Sequence, residues 1–557
     1  MRPLLQLSAW AGRLSRSEAS DTRTTTPAFS HSQAVNCVPA LILALAICGV
    51  LGGISLLVPP FIDWDSANGF LAWRGTVLGA VNCIISVDHE DIARDTSWFL
   101  TVWSPGQYLV PGAIALLGVP LGTAMTLTVA LALLASLTGW IMVVKEFAPQ
   151  TSLTILVVVL IGSFHYSTHA FSTYHGGEIL LQAATPWLVL AGYRVPKIEV
   201  IPAALLAASA VFVAFLAKLT GLIVVAAALI AGSMIRLAFG RRITRGMIGG
   251  AFGAMAVIVI LYAAFLSRGP TPMPETWSLP FRNIAFSFLV PWVAGISWSD
   301  PLSVIFSWPS AFSYVPIAFL LLVVPPMLLV AGLVLSWRPE TINEKKLRLF
   351  SLWFFSIVAA VFSLIYMHGS STSVGGGLDA EDRYFRSAGT LLFVCALISA
   401  FAAGTPRWTR GLFLALSVLM AFYGLASFSY HEITTAKGQF LDRTSRTNQR
   451  IFDAAAIDFA RQIYAREKHA ALFVLPSYQI AVTLPADARI LVIDLNYEGD
   501  LSSISHPYAG RVPGHLLVLL PSSISDIRKG RVLSAFRDYV PEAWERKAFV
   551  DMTVYYQ

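Results

Sequence analysis

The chain has 557 residues, of which 56% are hydrophobic and 13% charged, with a mean hydropathy of +0.67 and a net charge of +7. Soluble domains carry about a quarter charged residues, so this composition excludes an ordinary water-soluble fold. The placement of the basic residues, given below, excludes a nucleic-acid patch and leaves no nucleic acid among the expected partners.

Residues 1–36 form a polar N-terminal tail, after which residues 37–58 are the first apolar run. That run is longer than the roughly 7 to 15 residues of a signal-peptide core and follows a long tail, so it reads as a retained anchor. Runs of about 20 apolar residues cross a hydrocarbon core. Such runs predict about eleven spans, at 37–58, 121–144, 151–171, 178–193, 200–217, 219–235, 247–266, 312–336, 349–367, 387–404 and 411–428.

The connections fall into two alternating sets of unlike charge. The set that includes the N-terminal tail holds Arg2, Arg13, Arg16, Arg23, Lys145, Arg194, Lys197, Arg236, Arg241, Arg242, Arg245, Arg338, Lys345, Lys346, Arg348, Arg407 and Arg410, which makes 17 basic residues against 6 acidic. The opposite loops hold 7 basic and 12 acidic residues. By the positive-inside rule the tail is cytoplasmic and the acidic loops are outside. The expected fold class is therefore a polytopic α-helical membrane protein of about 11 spans with a small C-terminal α/β extracytoplasmic domain. Of the four cysteines, Cys37, Cys48 and Cys395 lie in spans and Cys83 in the first outer loop, so none pairs within the exported domain.

The membrane region covers 37–428, and its first outer loop, 59–120, carries FIDWDSANGFLAWRG, VDHEDIARDTSW and WSPGQYLVPGAIALLGVP. The apolar piece after Trp103 is too short to cross and suits an interfacial or re-entrant helix. Later outer connections hold STYHGGEILLQ, a tight turn AKLTG, a loop from Ser267 to Ser310, and SSTSVGGGLDAEDRYFRSAG. No internal repeat of fixed period is visible, which counts against repeat-built transporters. Residues 429–557 then alternate helix-like and strand-like segments: helices at IFDAAAIDFARQIYAREKHA and near SDIRKGRVLSAFRDYV, strands at ALFVLP, ARILVIDL, GHLLVLLP and KAFVDMTVYYQ. Trp544, Tyr555 and Tyr556 are expected to pack rather than bind a ligand.

Asp63 and Asp65 follow the outer end of the first span, where a carboxylate meets both water and lipid headgroups. Their bland role is to cap the helix that follows. Asp88, Glu90, Asp91 and Asp95 form a charge run, more often a solvated face. His175 and Glu178 are three apart and share a helix face, with Gly176 and Gly177 permitting close approach; a simple turn before a helix N-terminus explains them equally. Lys218 stands alone between two apolar runs, suited to a lipid phosphate or to snorkelling. Arg383 and Arg386, with Tyr384 between them and Asp379, Glu381 and Asp382 before them, form either an anion site or an internal ion-pair network.

These segments together resemble the GT-C class of polyprenyl-phosphate-sugar glycosyltransferases, which includes protein O-mannosyltransferases and the aminoarabinose transferases of lipid A. FIDWDS stands where the class has acidic residues after span one, and WSPGQYLVPGAIALLG is similar to its PPLYYLLLALW. LAKLTGLIVV is similar to its LTKGP, and EDRYFRSAG to its RYLLPALP. The class often has Asp-Glu after span one; here Asp63 and Asp65 flank Trp64, so which carboxylate takes that role stays open. Lys218 is followed by Leu-Thr-Gly rather than directly by Gly.

The resemblance implies an enzyme that moves a sugar from a polyprenyl-phosphate carrier to an acceptor at the outer, periplasmic face of a bacterial inner membrane, with inversion. Asp63 or Asp65 would be the catalytic base, and Lys218, Arg383 and Arg386 would hold the donor phosphate. His175, Glu178 and Tyr384 would line the sugar and acceptor side. Expected partners are the lipid-linked sugar, membrane lipid and an acceptor that is lipid, glycan or protein. No cofactor is required; some members of the class use a divalent cation, and the carboxylates here show no recognisable metal spacing, so a metal stays open. The rival function is a transporter or flippase of lipid-linked sugars, which needs polar groups at mid-membrane, whereas His165 and His169 lie near an outer end. A purely structural subunit ranks third.

Overall fold

The computed structural model describes residues 36–88, 91–269, 279, 281–301, 316–369, 382–436, 441–442, 447–448, 454–493, 514–536 and 544–556. From residue 37 onward the chain forms one compact unit. Glu90, Asp379 and Glu381 lie outside the described residues.

Helix α1 (Val38–Leu57) starts with Pro39, which a helix tolerates in its first turn, and is apolar on all sides. A helix with no polar face belongs in lipid or in a core. It ends at Pro59 and Pro60, and a two-residue strand, β1 (Phe61–Ile62), leads into α2 (Trp64–Val77). A hairpin of β2 (Cys83–Val87) and β3 (Asp95–Phe99) follows, then α3 (Gly106–Ala115). At ten residues α3 reaches about 15 Å, half a hydrocarbon core, and it packs on α2 rather than crossing.

The helices that follow are α4 (Leu121–Phe147), α5 (Thr151–Ser163), α6 (His165–Ser172), α7 (Gly177–Arg194), α8 (Val200–Ala217), α9 (Gly221–Gly240) and α10 (Arg245–Ala264). After the short α11 (Phe281–Leu289) and α12 (Pro291–Ala294) come α13 (Pro316–Ser336), α14 (Ile342–Gly369), α15 (Arg386–Phe401) and α16 (Arg407–Ala436). Each of the eleven predicted spans coincides with one of these helices or, at 151–171, with the pair α5 and α6. Among the described residues seven are long and apolar enough to cross a membrane, and α5 with α6, bent by 43°, has the length and composition of a broken span or a re-entrant loop. The other three are α7, which carries Glu178, Gln182, Thr185 and Pro186, and the shorter apolar stretches Val323–Ser336 and Arg386–Phe401. Helix α10 exposes Phe252, Met255, Ile258, Val259 and Ile260 along one side, a face that lipid covers.

Beyond α16 lie β5 (Leu441–Asp442), β6 (Thr447–Asn448), α17 (Ala454–Glu467), β7 (Ala471–Leu475), α18 (Tyr478–Thr483), β8 (Arg489–Val492), β9 (His515–Pro521), α19 (Asp526–Ala535), β10 (Glu545–Ala548) and β11 (Met552–Tyr556). The main sheet has the order β10-β11-β9-β7-β8, with β8, β7 and β9 parallel and β9, β11 and β10 antiparallel. This is the expected α/β domain, with one difference. The last expected strand, KAFVDMTVYYQ, folds back on itself as the hairpin β10–β11, turned where the Phe549 amide bonds the Met552 carbonyl. Trp544 and Tyr555 pack against the sheet's core.

Two features bind this domain to the membrane region. In a second sheet, β1 pairs in parallel with both β4 (Thr173–Tyr174) and β6, joining the ends of α1 and α6 to the start of the C-terminal segment. The first outer loop also enters the domain directly. Val87 and Ile92 are buried in the same core as Leu472, Val474 and Leu516, and Asp95 pairs with Arg489 at 3.0 Å. Asp91 accepts the Ala93 amide within its own turn, so Asp91 and Asp95 of this charge run hold the loop.

Arg74, buried on α2, donates to the carbonyls of Ala481, Pro485, Ala486 and Ala488 at 2.7–3.3 Å. Hydrogen bonds from a charged group are the strong ones. Arg74→Met is expected to lower stability by roughly 2–4 kcal/mol, read as a lower melting temperature and faster proteolysis of the C-terminal domain in detergent.

Candidate functional site

The site forms where the helix ends meet the first outer loop. Asp63 adopts extended backbone as the N-cap of α2, and its side chain accepts the Asp65 amide at 3.3 Å. Its own amide bonds the Tyr174 carbonyl, which ties it to the end of α6. The capping role therefore belongs to Asp63. Asp65, two residues further on, points to other partners.

Glu178 opens α7. Gly176 has φ +56, and a Cβ there would lie 2.7 Å from the Gln107 side chain, while one on Gly177 would lie 3.0 Å from the Ala217 carbonyl. The two glycines thus let α7 begin against the end of α8. Lys218 caps α8 in extended conformation, and the turn through Thr220 starts α9. Its ammonium reaches Glu178 at 2.5 Å.

Arg383 completes the cluster from the short helical turn before α15, with one guanidinium nitrogen 3.2 Å from Glu178 and 3.4 Å from Asp65. Tyr384 places its ring 5.0 Å below the Lys218 ammonium and stacks on Phe362. Asp65, His175, Glu178, Lys218, Arg383 and Tyr384 all line one cleft of about 280 Å³, with apolar walls from Val102, Leu219, Phe362 and Ile365. Ser104 and Gln107 also line it, and each keeps a buried polar atom, Oγ and Nε2, with no hydrogen-bond partner.

His175 faces away from Glu178, with Nδ1 3.6 Å from Asp63 and Nε2 3.3 Å from the Nε2 of His169. Arg386 belongs to a neighbouring network. It pairs with Asp300 at 3.1 Å and Asp382 at 3.3 Å, Ser299 donates to Asp382 at 2.6 Å, and His165 closes on Asp300 at 3.2 Å. The networks meet at a small cavity of about 30 Å³, lined by Glu178, Lys218, Arg383 and Arg386.

The two carboxylates are placed differently. Burial raises Asp65, and although Arg383 opposes it, the carboxyl stays above its ordinary range. Burial also acts on Asp63, but the contact and charge of His175 outweigh it and hold that carboxyl below its ordinary range. A carboxylate held high and facing a cleft is the better proton acceptor.

The spacing of Asp63, Asp65, Glu178, Lys218 and Arg383 in the sequence gave no measure of their separation, and the fold brings them together. Asp300 and Ser299 were missed, and the segment around them carries no pattern that singles them out. His165 and His169 offered a signal, two imidazoles four residues apart in an apolar run, whose meaning depends on His175. Among the described residues no three His, Cys, Asp or Glu side chains converge to hold a metal ion.

No family description matches the sequence, and no curated protein does. Solved structures similar to the chain include ArnT from Cupriavidus metallidurans bound to undecaprenyl phosphate, at 12% identity and a TM-score of 0.49, covering 94% of this chain and 98% of that one. The apo state of the same protein is similar at 13% identity and a TM-score of 0.47, covering 93% of this chain and 98% of that one. The arabinofuranosyltransferase AftD from Mycobacteria is similar at 14% identity and a TM-score of 0.48, where the match covers 94% of this chain and 40% of that one.

Proposed function

We propose that the protein is a membrane glycosyltransferase that moves a sugar from a polyprenyl-phosphate carrier to an acceptor in the cleft formed by the helix ends and the loop 59–120. The observation that carries this reading is the meeting of Asp65, Lys218 and Arg383 in one cleft that also has apolar walls. A phosphate joined to a hydrocarbon chain needs that mixture: cations for the head and an apolar surface beside them. The motif resemblance points to the same class.

In the proposed reaction the acceptor oxygen or nitrogen attacks the anomeric carbon and its proton passes to Asp65. The carbon–oxygen bond to the phosphate breaks, and the electron pair stays on the phosphate oxygen. Attack from the face opposite the leaving phosphate inverts the anomeric carbon. Lys218 and Arg383, both held by Glu178 in the resting site, stabilise that growing charge. Glu178 acts as the counter-ion that keeps the two cations together until the phosphate replaces it. His175 and Tyr384 line the cleft beside them, and Arg386 supports Arg383 from the adjoining network. The orientation expected from loop charge puts this cleft on the periplasmic face, with the N-terminal tail in the cytoplasm.

The test is consumption of a radiolabelled polyprenyl-phosphate sugar by the purified protein in nanodiscs. A liposome assay that shows the lipid-linked sugar moved across the bilayer unconsumed would favour the transporter instead. The pH dependence has a defined sign. Asp65 must be ionised to act, so the rate falls as pH drops through its raised value, at higher pH than an ordinary aspartate near about 3.9 would give. Arg383 opposes that rise, so Arg383→Gln is expected to move the acid limb to still higher pH. An unmoved limb in the pH–rate profile would detach Asp65 from proton transfer.

A further inference from the structure

The proposed transfer releases one proton from the acceptor, and the cleft that receives it is partly closed by Tyr384, Phe362 and the first outer loop. We infer that His175 and His169 form a relay that carries this proton from the Asp63–Asp65 pair to the half-buried His431 on α16; the inference rests on the glycosyltransferase reading.

The geometry is that of a proton wire. His175 lines the cleft beside Asp65, and its buried Nδ1 faces the Asp63 carboxylate at 3.6 Å, a few tenths of an ångström from hydrogen-bond length. Its other nitrogen faces the matching nitrogen of His169 at 3.3 Å. Two Nε2 atoms in contact can share one proton, since the hydrogen bond needs a donor on one ring and a lone pair on the other. A proton arriving at Nδ1 of His175 therefore displaces the one at Nε2 toward His169. His169 then releases its own Nδ1 proton, which leaves both rings in their other tautomers, and the relay resets when the rings turn or exchange protons with water.

The far end runs toward α16. His165 stacks on His169 with ring centroids 4.8 Å apart, but it is held by Asp300, which Arg386 also pairs, and a permanently charged guanidinium takes up no proton. Ser172 contacts Nδ1 of His169 at 3.3 Å. On the facing α16 the ring of His431 is 5.9 Å from that of His169. The other titratable groups on that face are Tyr423, 5.4 Å from the His165 ring, Tyr430 beside His431, and the buried Glu432.

Two measurements test the relay. In nanodiscs, His169→Ala is expected to slow donor consumption by about tenfold or more, within the range of a lost proton-transfer step, and added imidazole is expected to restore much of the rate. A wild-type rate, or a loss that imidazole leaves unrestored, overturns the relay. Nitrogen NMR of protein labelled at histidine gives a readout independent of turnover. In the wild type a scalar coupling across the hydrogen bond between the Nε2 atoms of His169 and His175 is expected, and in His175→Gln it vanishes. Absence of that coupling in the wild type overturns the relay whatever the activity, whereas the hydrogen bond in a protein that consumes no lipid-linked sugar overturns the reaction and leaves the proton path standing.

Discussion

Replacing Asp65 by Asn is expected to lower sugar transfer by about 10²- to 10⁴-fold, the range that a positioned general base contributes. The amide keeps the size of the side chain and removes its capacity to take a proton. Asp65 lies outside the spans and does not cap α2, so the fold has little need of its charge. Asp63→Ala is expected to behave differently. It removes the partner of His175 and the cap of α2, so the melting temperature falls along with the rate. The two variants, assayed for donor consumption and thermal unfolding, separate base from support; equal activity of Asp65→Asn and wild type would remove the proposed base.

Replacing Arg383 by Ala is expected to cost about 10²- to 10³-fold in turnover, the usual loss when one group that stabilises developing charge is removed. Arg383 is the residue that touches both halves of the site, Asp65 on one side and Glu178 on the other. Its loss should weaken retention of a radiolabelled polyprenyl-phosphate sugar as well as slow its consumption. Lys218 remains bound to Glu178 in that variant, so the cleft keeps one cation and some donor binding. Unchanged donor binding and turnover would reassign Arg383 to an internal ion-pair role.

Much of this architecture is legible in the order of residues. The apolar runs are long, so the positions of the membrane helices can be read from local composition, and the unlike charge of the loops gives an expected orientation. Asp63, Asp65 and Lys218 are conspicuous because each is a charge at the edge of an apolar run. What links them is not local. Glu178 and Lys218 are 40 residues apart, and Arg383 is 318 residues from Asp65; these distances follow from how the helices pack. The same limit hides the histidine contacts, since His169 and His175 lie on either side of β4, whose parallel pairing with β1 is a contact distant in sequence. The closing hairpin was hidden for a different reason. Residues 547–557 are rich in strand-forming types throughout, and nothing but Asp551 interrupts them.

The buried Arg74 has a consequence for how the protein is made. A ribosome completes α2 about four hundred residues before it supplies the carbonyls of Ala481 and Ala488. Until then the guanidinium must stay hydrated at the membrane surface, and the helix bearing the carboxylates lacks its outer clamp. Nascent chains halted before residue 480 should therefore hold an unfinished catalytic floor, and assembly of the cleft becomes one of the last acts of biosynthesis.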